Sequence, residues 1–85
     1  MTPAEALQDI RGYALVGQIE VTPHAGRRMR ERAVIFDDLR HALTNAKACR
    51  SEPVDRWLVD GTDVEGDALT VVVTLEDGVI AVTLF

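Results

Sequence analysis

The apolar pattern of this chain changes period once, near residue 47, and does not change back. Up to Ala46 the apolar residues recur at helical spacing; beyond it they alternate. That order predicts helices first and an antiparallel sheet afterwards, an α+β domain. The last two segments carry the strongest strand signal. Leu69–Leu75 and Val79–Phe85 are joined through Asp77-Gly78, a favoured type I′ hairpin dipeptide. A two-residue turn there sets Leu75 opposite Ile80, Val73 opposite Val82 and Val71 opposite Leu84. These six residues, with Leu69, form an expected aliphatic core face. Thr70, Val72, Thr74, Ala81, Thr83 and Phe85 form a mixed face suited to binding.

Ala48–Glu52 and Arg56–Asp60 are expected strands separated by Pro53, and Gly61–Asp67 reads as a polar loop. The expected sheet therefore has about four antiparallel strands, with Ile19-Glu20-Val21 as a short edge strand. The first helix starts at Thr2-Pro3-Ala4-Glu5, where Thr2 caps, Pro3 suits the first position and Glu5 completes a capping box. Gly12 and Gly17 mark its end. Thr22-Pro23 repeats the start signal, so a second helix should run from Pro23 to about Arg32. Its apolar residues are sparse: Ala25, Met29 and Ala33. A third helix opens at Phe36-Asp37-Asp38-Leu39 and ends near Ala46. Its buried stripe is Leu39, Ala42, Leu43 and Ala46, and its acidic pair complements the helix dipole.

Residues 1–85 read as one domain, and a chain this short buries only about 60% of its unfolded surface. A compact core is required, and a homodimer or a protein partner is expected. Hydrophobic content of 47% excludes a disordered chain. No apolar run approaches a membrane span and no secretion signal is visible, so a cytoplasmic location is expected. One cysteine, Cys49, excludes an intrachain disulfide. His24, His41 and Cys49 lack metal-ligand spacing, so neither metal nor cofactor is expected. The formal charge of −5 is divided unevenly along the chain. Residues 1–50 carry eight Lys/Arg against six Asp/Glu, a net of +2, whereas residues 51–85 carry one Arg against eight Asp/Glu, a net of −7. The overall balance argues against tight non-specific nucleic-acid binding.

The densest chemistry lies in His24-Ala-Gly-Arg-Arg-Met-Arg-Glu-Arg32. His24, Arg28 and Arg32 recur at i, i+4 and i+8 and form one stripe on the second helix. An imidazole passes protons near neutral pH, and guanidinium groups hold phosphate. His24 sits near the helix start, where free backbone amides favour anions, and Gly26 leaves room for a phosphate. The bland counterpart is a solvated arginine face with pairs such as Arg27–Glu31, and a His24 that only caps the helix. His41 reads as a surface residue, Trp57 as core or partner-facing, and Cys49 as a small buried side chain.

The motif Thr22-x-His24-Ala25-x-x-Arg28-Met29-x-x-Arg32, followed by a short helix and a sheet containing Arg56-Trp57-Leu58-Val59, resembles an uncharacterised bacterial family. That family is assigned to the RelE-like, barnase–colicin–RelE group of ribonuclease folds. The resemblance covers about Val21 to Phe85. Where the family usually has Gly after the motif, this chain has Ala33. Where the next helix usually begins with Ser or Thr, Ile35 and Phe36 stand here.

The resemblance implies a RelE-like fold and a toxin of a type II toxin–antitoxin pair, encoded beside an MqsA-type zinc-finger antitoxin. The implied activity is metal-independent, mRNA-interferase-like endoribonuclease chemistry on RNA, including ribosome-bound mRNA. His24 would be the general acid or base, with Arg28 and Arg32 holding the phosphate. One histidine does not move two protons, so Arg56 and Thr83 are added as substrate-binding candidates by their place on the sheet. The alternative is a non-catalytic partner-binding module related to such toxins. A helix-turn-helix DNA reader ranks last, because its second helix would begin with Asp37-Asp38 against DNA phosphate.

Overall fold

A computed structural model describes residues Met1–Phe85. Three helices and five strands follow in the order α1 (Pro3–Leu15), β1 (Ile19–Val21), α2 (Pro23–Glu31), α3 (Phe36–Thr44), β2 (Ala48–Glu52), β3 (Arg56–Thr62), β4 (Ala68–Leu75) and β5 (Val79–Leu84). The class is α+β, as the single change of period requires. The sheet has five strands in the order β1-β5-β4-β3-β2. It is mixed rather than wholly antiparallel: β1 lies parallel to β5, and the other pairs are antiparallel.

The helix starts follow from local chemistry. Thr2 Oγ1 accepts from the Glu5 N–H at 3.1 Å, and the Glu5 carboxylate accepts from the Thr2 N–H at 2.8 Å. The bond from the Thr2 N–H, helped by the Thr2 hydroxyl, holds the Glu5 carboxyl below its ordinary range. Helix α3 begins at Ile35, whose side chain cannot cap. Asp38 replaces that cap, accepting from the Ile35 N–H at 3.1 Å and from the Val64 N–H at 3.2 Å. Two arginines fasten α1 and α3 reciprocally. Arg11 donates from Nε to Ala46 O at 2.9 Å, while Arg40 donates to Ala14 O at 3.1 Å and Leu15 O at 2.7 Å. Both bond main-chain carbonyls at or just beyond helix C-termini, Ala14 O accepting from the Gly17 N–H as well.

The helices cover one face of the sheet. Ile10, Ala14, Ala25, Leu39, Ala42, Leu43 and Ala46 pack there on Val59, Leu69, Val71, Val73, Val79, Ala81 and Leu84. Gly61, expected in a loop, belongs to β3 instead. A Cβ there would come within 2.9 Å of the Ala42 backbone, so the missing side chain lets α3 lie directly on the strand. His41 is not a free surface residue: its Nδ1–H donates to Thr62 O at 2.8 Å and ties α3 to the same strand. Trp57 is half-buried against the core, as expected.

The β4–β5 hairpin departs from the expected register. Its turn has three residues, Glu76-Asp77-Gly78, with Asp77 and Gly78 at φ 51° and 145°. Val79 therefore faces Leu75, Ile80 faces Thr74 and Ala81 faces Val73. The inward residues are Val79 and Ala81 in place of Ile80 and Val82. The parallel partner β1 explains the choice. Its register, Ile19 with Val79, Glu20 with Ile80 and Val21 with Ala81, sends both β1 apolar side chains inward and Glu20 outward. A bulge then inserts Val82, so that Val72 faces Thr83 and Val71 recovers its expected partner Leu84.

The other face of the sheet carries no helix. Arg50 pairs with Leu58, Leu58 with Val72 and Val72 with Thr83, forming one row across four strands. Leu58 and Val72 are only 7% and 8% exposed at its centre.

Candidate functional site

Strand β1 ends at Val21, and α2 takes over the edge of β5 where β1 stops. Thr22 makes that junction. Its N–H donates to Ala81 O at 3.1 Å, its hydroxyl donates to Val82 O at 3.1 Å, and the same oxygen caps the Ala25 N–H at 3.1 Å. A strand edge and a helix start are thus satisfied by one residue. The sequence marks Thr22 as a cap; its bond to β5 carries no sequence signal, because it spans sixty residues.

His24 follows two positions later and is exposed. Its Nε2 lies 3.0 Å from Thr83 Oγ1. The bulge matters here, since the extra residue keeps both Val82 and Thr83 off the buried face between Ala81 and Leu84. The amides at the helix start offer less to an anion than the sequence implies. Pro23 has no N–H, and those of Ala25 and Gly26 are taken by Thr22. The His24 N–H remains. A Cβ at Gly26 would make only ordinary contacts, with Arg30 Nη1 at 3.6 Å and Val21 at 3.9 Å.

One turn beyond His24, Arg28 donates from Nε to Leu84 O at 3.2 Å. Its Nη1 lies 4.0 Å from Glu31, replacing the expected Arg27–Glu31 pair, and Nη2 has no protein partner. The side chain is 38% exposed, and Nη2 is the guanidinium nitrogen left without a protein partner. Arg27, Arg30 and Arg32 are exposed and form no ion pair, which leaves α2 strongly basic on its outer side.

The structure joins His24, Thr83 and Arg28 along the β5 edge. It does not bring in Arg32 or Arg56. Arg32 is the C-cap of α2, eight residues and about 12 Å of helical rise from His24. Arg56 opens β3 opposite Glu52, and β4 separates it from β5. Two strand spacings put it about 10 Å from Thr83 before any offset along the strands. No group of three or more metal-ligating side chains converges anywhere in the chain, and no helix is long and apolar enough to cross a membrane.

Comparison of the chain with protein-family models, with curated proteins and with solved structures finds no match. Its chemistry is read from the His24–Thr83–Arg28 arrangement alone.

Proposed function

We propose that the chain is a cytoplasmic, RelE-like endoribonuclease, the toxin of a toxin–antitoxin pair. The observation that carries this reading is the 3.0 Å approach of His24 Nε2 to Thr83 Oγ1, with Arg28 bonded to the next residue of β5 at Leu84 O. Thr83 holds the exposed imidazole in one orientation. Arg28, fixed at Nε and with Nη1 turned to Glu31, offers Nη2 to a phosphate. In the proposed step His24 takes the proton of a ribose 2′-hydroxyl, the 2′-oxygen bonds to phosphorus, and the bond to the 5′-oxygen breaks. Water supplies the proton to the departing oxygen. Arg28 stabilises charge on the phosphoryl oxygens as the step proceeds. The products are a cyclic phosphate and a 5′-hydroxyl end, and no metal takes part in the step.

Purified protein incubated with RNA and with its 2′-deoxy analogue tests the chemistry. Cleavage confined to the ribose substrate, lost about 10²–10⁴-fold in His24→Ala and about 10²-fold in Arg28→Ala, is the expected result. Growth arrest on induced expression, relieved by either substitution at equal soluble level, extends the test to ribosome-bound RNA. The second reading is a non-catalytic partner-binding module, favoured by the helix-free sheet face around Leu58 and Val72. Normal growth with wild type and both variants alike, together with intact RNA, supports that reading instead.

A further inference from the structure

The two edges of the sheet differ. At one, β1 covers the first half of β5, and Thr22 and Arg28 occupy the carbonyls beyond it. At the other, the five-residue β2 pairs with β3 alone and offers a longer unpaired outer side than the three-residue β1. We propose that this bare edge is a homodimer interface, in which β2 pairs antiparallel with β2 of a second copy about a two-fold axis at Ser51. The inference is independent of the proposed ribonuclease activity.

Charge fixes the register. Arg50 and Glu52 lie on the helix-free face, in line with Leu58 and Arg56 of β3. Centring the pair on Ser51 sets Arg50 of each copy opposite Glu52 of the other, giving two cross-strand ion pairs. Centring it on Arg50 sets arginine against arginine, and centring it on Glu52 sets glutamate against glutamate. Centring it on Cys49 leaves Arg50 opposite Ala48, with no ion pair. All of these registers keep both helix layers on one side of a continuous sheet; centring on Arg50 pairs the whole of β2 and centring on Ser51 pairs Arg50–Glu52, so charge is what favours Ser51.

Exposed apolar groups flank the same edge. Val54, at 84%, and Met1, at 70%, are the most exposed large hydrophobic residues of the chain. Both line a shallow groove of about 510 Å³ with Pro3, Ser51, Glu52 and Trp57. Val54 stands there at φ 65°, a left-handed conformation rare for a β-branched residue, directly after the strand. Val54 lies in the turn at residues 53–55 that ends β2, beside the Arg50–Glu52 stretch that pairs about Ser51.

Sedimentation of the full chain over a concentration series tests the proposal. Wild type should reach twice the 9.3 kDa chain mass. Arg50→Glu alone and Glu52→Arg alone should each weaken the dimer about tenfold or more, since each turns both ion pairs into like-charge pairs. An equimolar mixture of these two variants should dimerise again, because one copy then carries two acids and the other two arginines. Circular dichroism checks that each variant is folded; should either fail, the doubly exchanged R50E/E52R chain takes its place and should dimerise like wild type. Wild type that stays monomeric at millimolar concentration overturns the proposal. So does a dimer indifferent to the single reversals, or a mixture that stays monomeric.

Discussion

Arg28 donates its Nε–H to the main-chain carbonyl of Leu84 across 3.2 Å, so the arginine assigned to phosphate also closes the edge of β5. A hydrogen bond from a charged donor to a part-buried carbonyl contributes about 1.5–3 kcal/mol. Arg28→Ala should therefore lower urea-unfolding stability by about 1–2 kcal/mol, apart from any loss of cleavage. Arg28→Lys keeps the charge but not the planar fork, and should recover only part of either property. An unchanged unfolding midpoint in both variants would leave Arg28 with the phosphate alone.

In the proposed cleavage Thr83 acts through His24. Thr83→Val removes the hydroxyl partner of Nε2 and should lower kcat for RNA cleavage about tenfold, with KM little changed. Thr83→Ser keeps an oxygen within reach and should retain most activity. Equal loss in both variants would mean that the contact does not orient the imidazole.

Ala33 occupies a glycine's place. Helix α2 ends with the Ala33 N–H on Arg30 O at 3.3 Å and the Val34 N–H on Met29 O at 2.8 Å, and Ala33 stands at φ 55°. This is the left-handed closure that favours glycine. Ala33→Gly should raise stability by about 0.5–1 kcal/mol in chemical denaturation, because removing Cβ relieves more strain than the added chain freedom costs.

Gly61 allows the reverse experiment. Gly61→Ala puts a Cβ against the Ala42 backbone, which cannot rotate away as a side chain could. The helix must shift off the strand, and a loss of about 3 kcal/mol is expected in thermal or chemical unfolding. A melting temperature close to that of wild type would show that α3 and β3 separate at little cost.

Burial pushes the Cys49 thiol above its ordinary 9.0, with nearby Arg11 pulling it partly back. Its Sγ lies 3.2 Å from Pro3 O, which only the protonated form can use as an acceptor. Alkylation at pH 8 should be slower in the folded chain than in urea, by several-fold or about tenfold. The linked stability is fully present below the unfolded value and is lost as pH rises through the raised folded one. Cys49→Ser should flatten that alkaline decline, as urea titrations at stepped pH would record.

What the sequence revealed was mostly local. The Thr2 and Thr22 caps, the three helices, the strand spans and the α+β order depend on residues close together in the chain. The contact of His24 with Thr83 was not legible, although both residues stood out singly. The hairpin register failed by one residue because Asp77-Gly78 reads as a two-residue turn in isolation. Pairing with β1, sixty residues earlier, selects the longer turn and sends Val79 inward. Gly61 looked like loop punctuation because its reason is a helix seventeen or more residues upstream. Helical spacing correctly put His24 and Arg28 on one side, but it carried Arg32 past the end of α2, where the stripe no longer meets the sheet.

The junction at Thr22 has a consequence for assembly. A sheet that could accept a strand at both ends would be divalent, and each copy could recruit another without limit. Here a three-residue strand finishes one end of the sheet, and a threonine hydroxyl and an arginine fill the β5 carbonyls beyond it. The proposed β2–β2 pairing joins the longer terminal strand of each copy, and its two-fold symmetry closes the assembly at a pair.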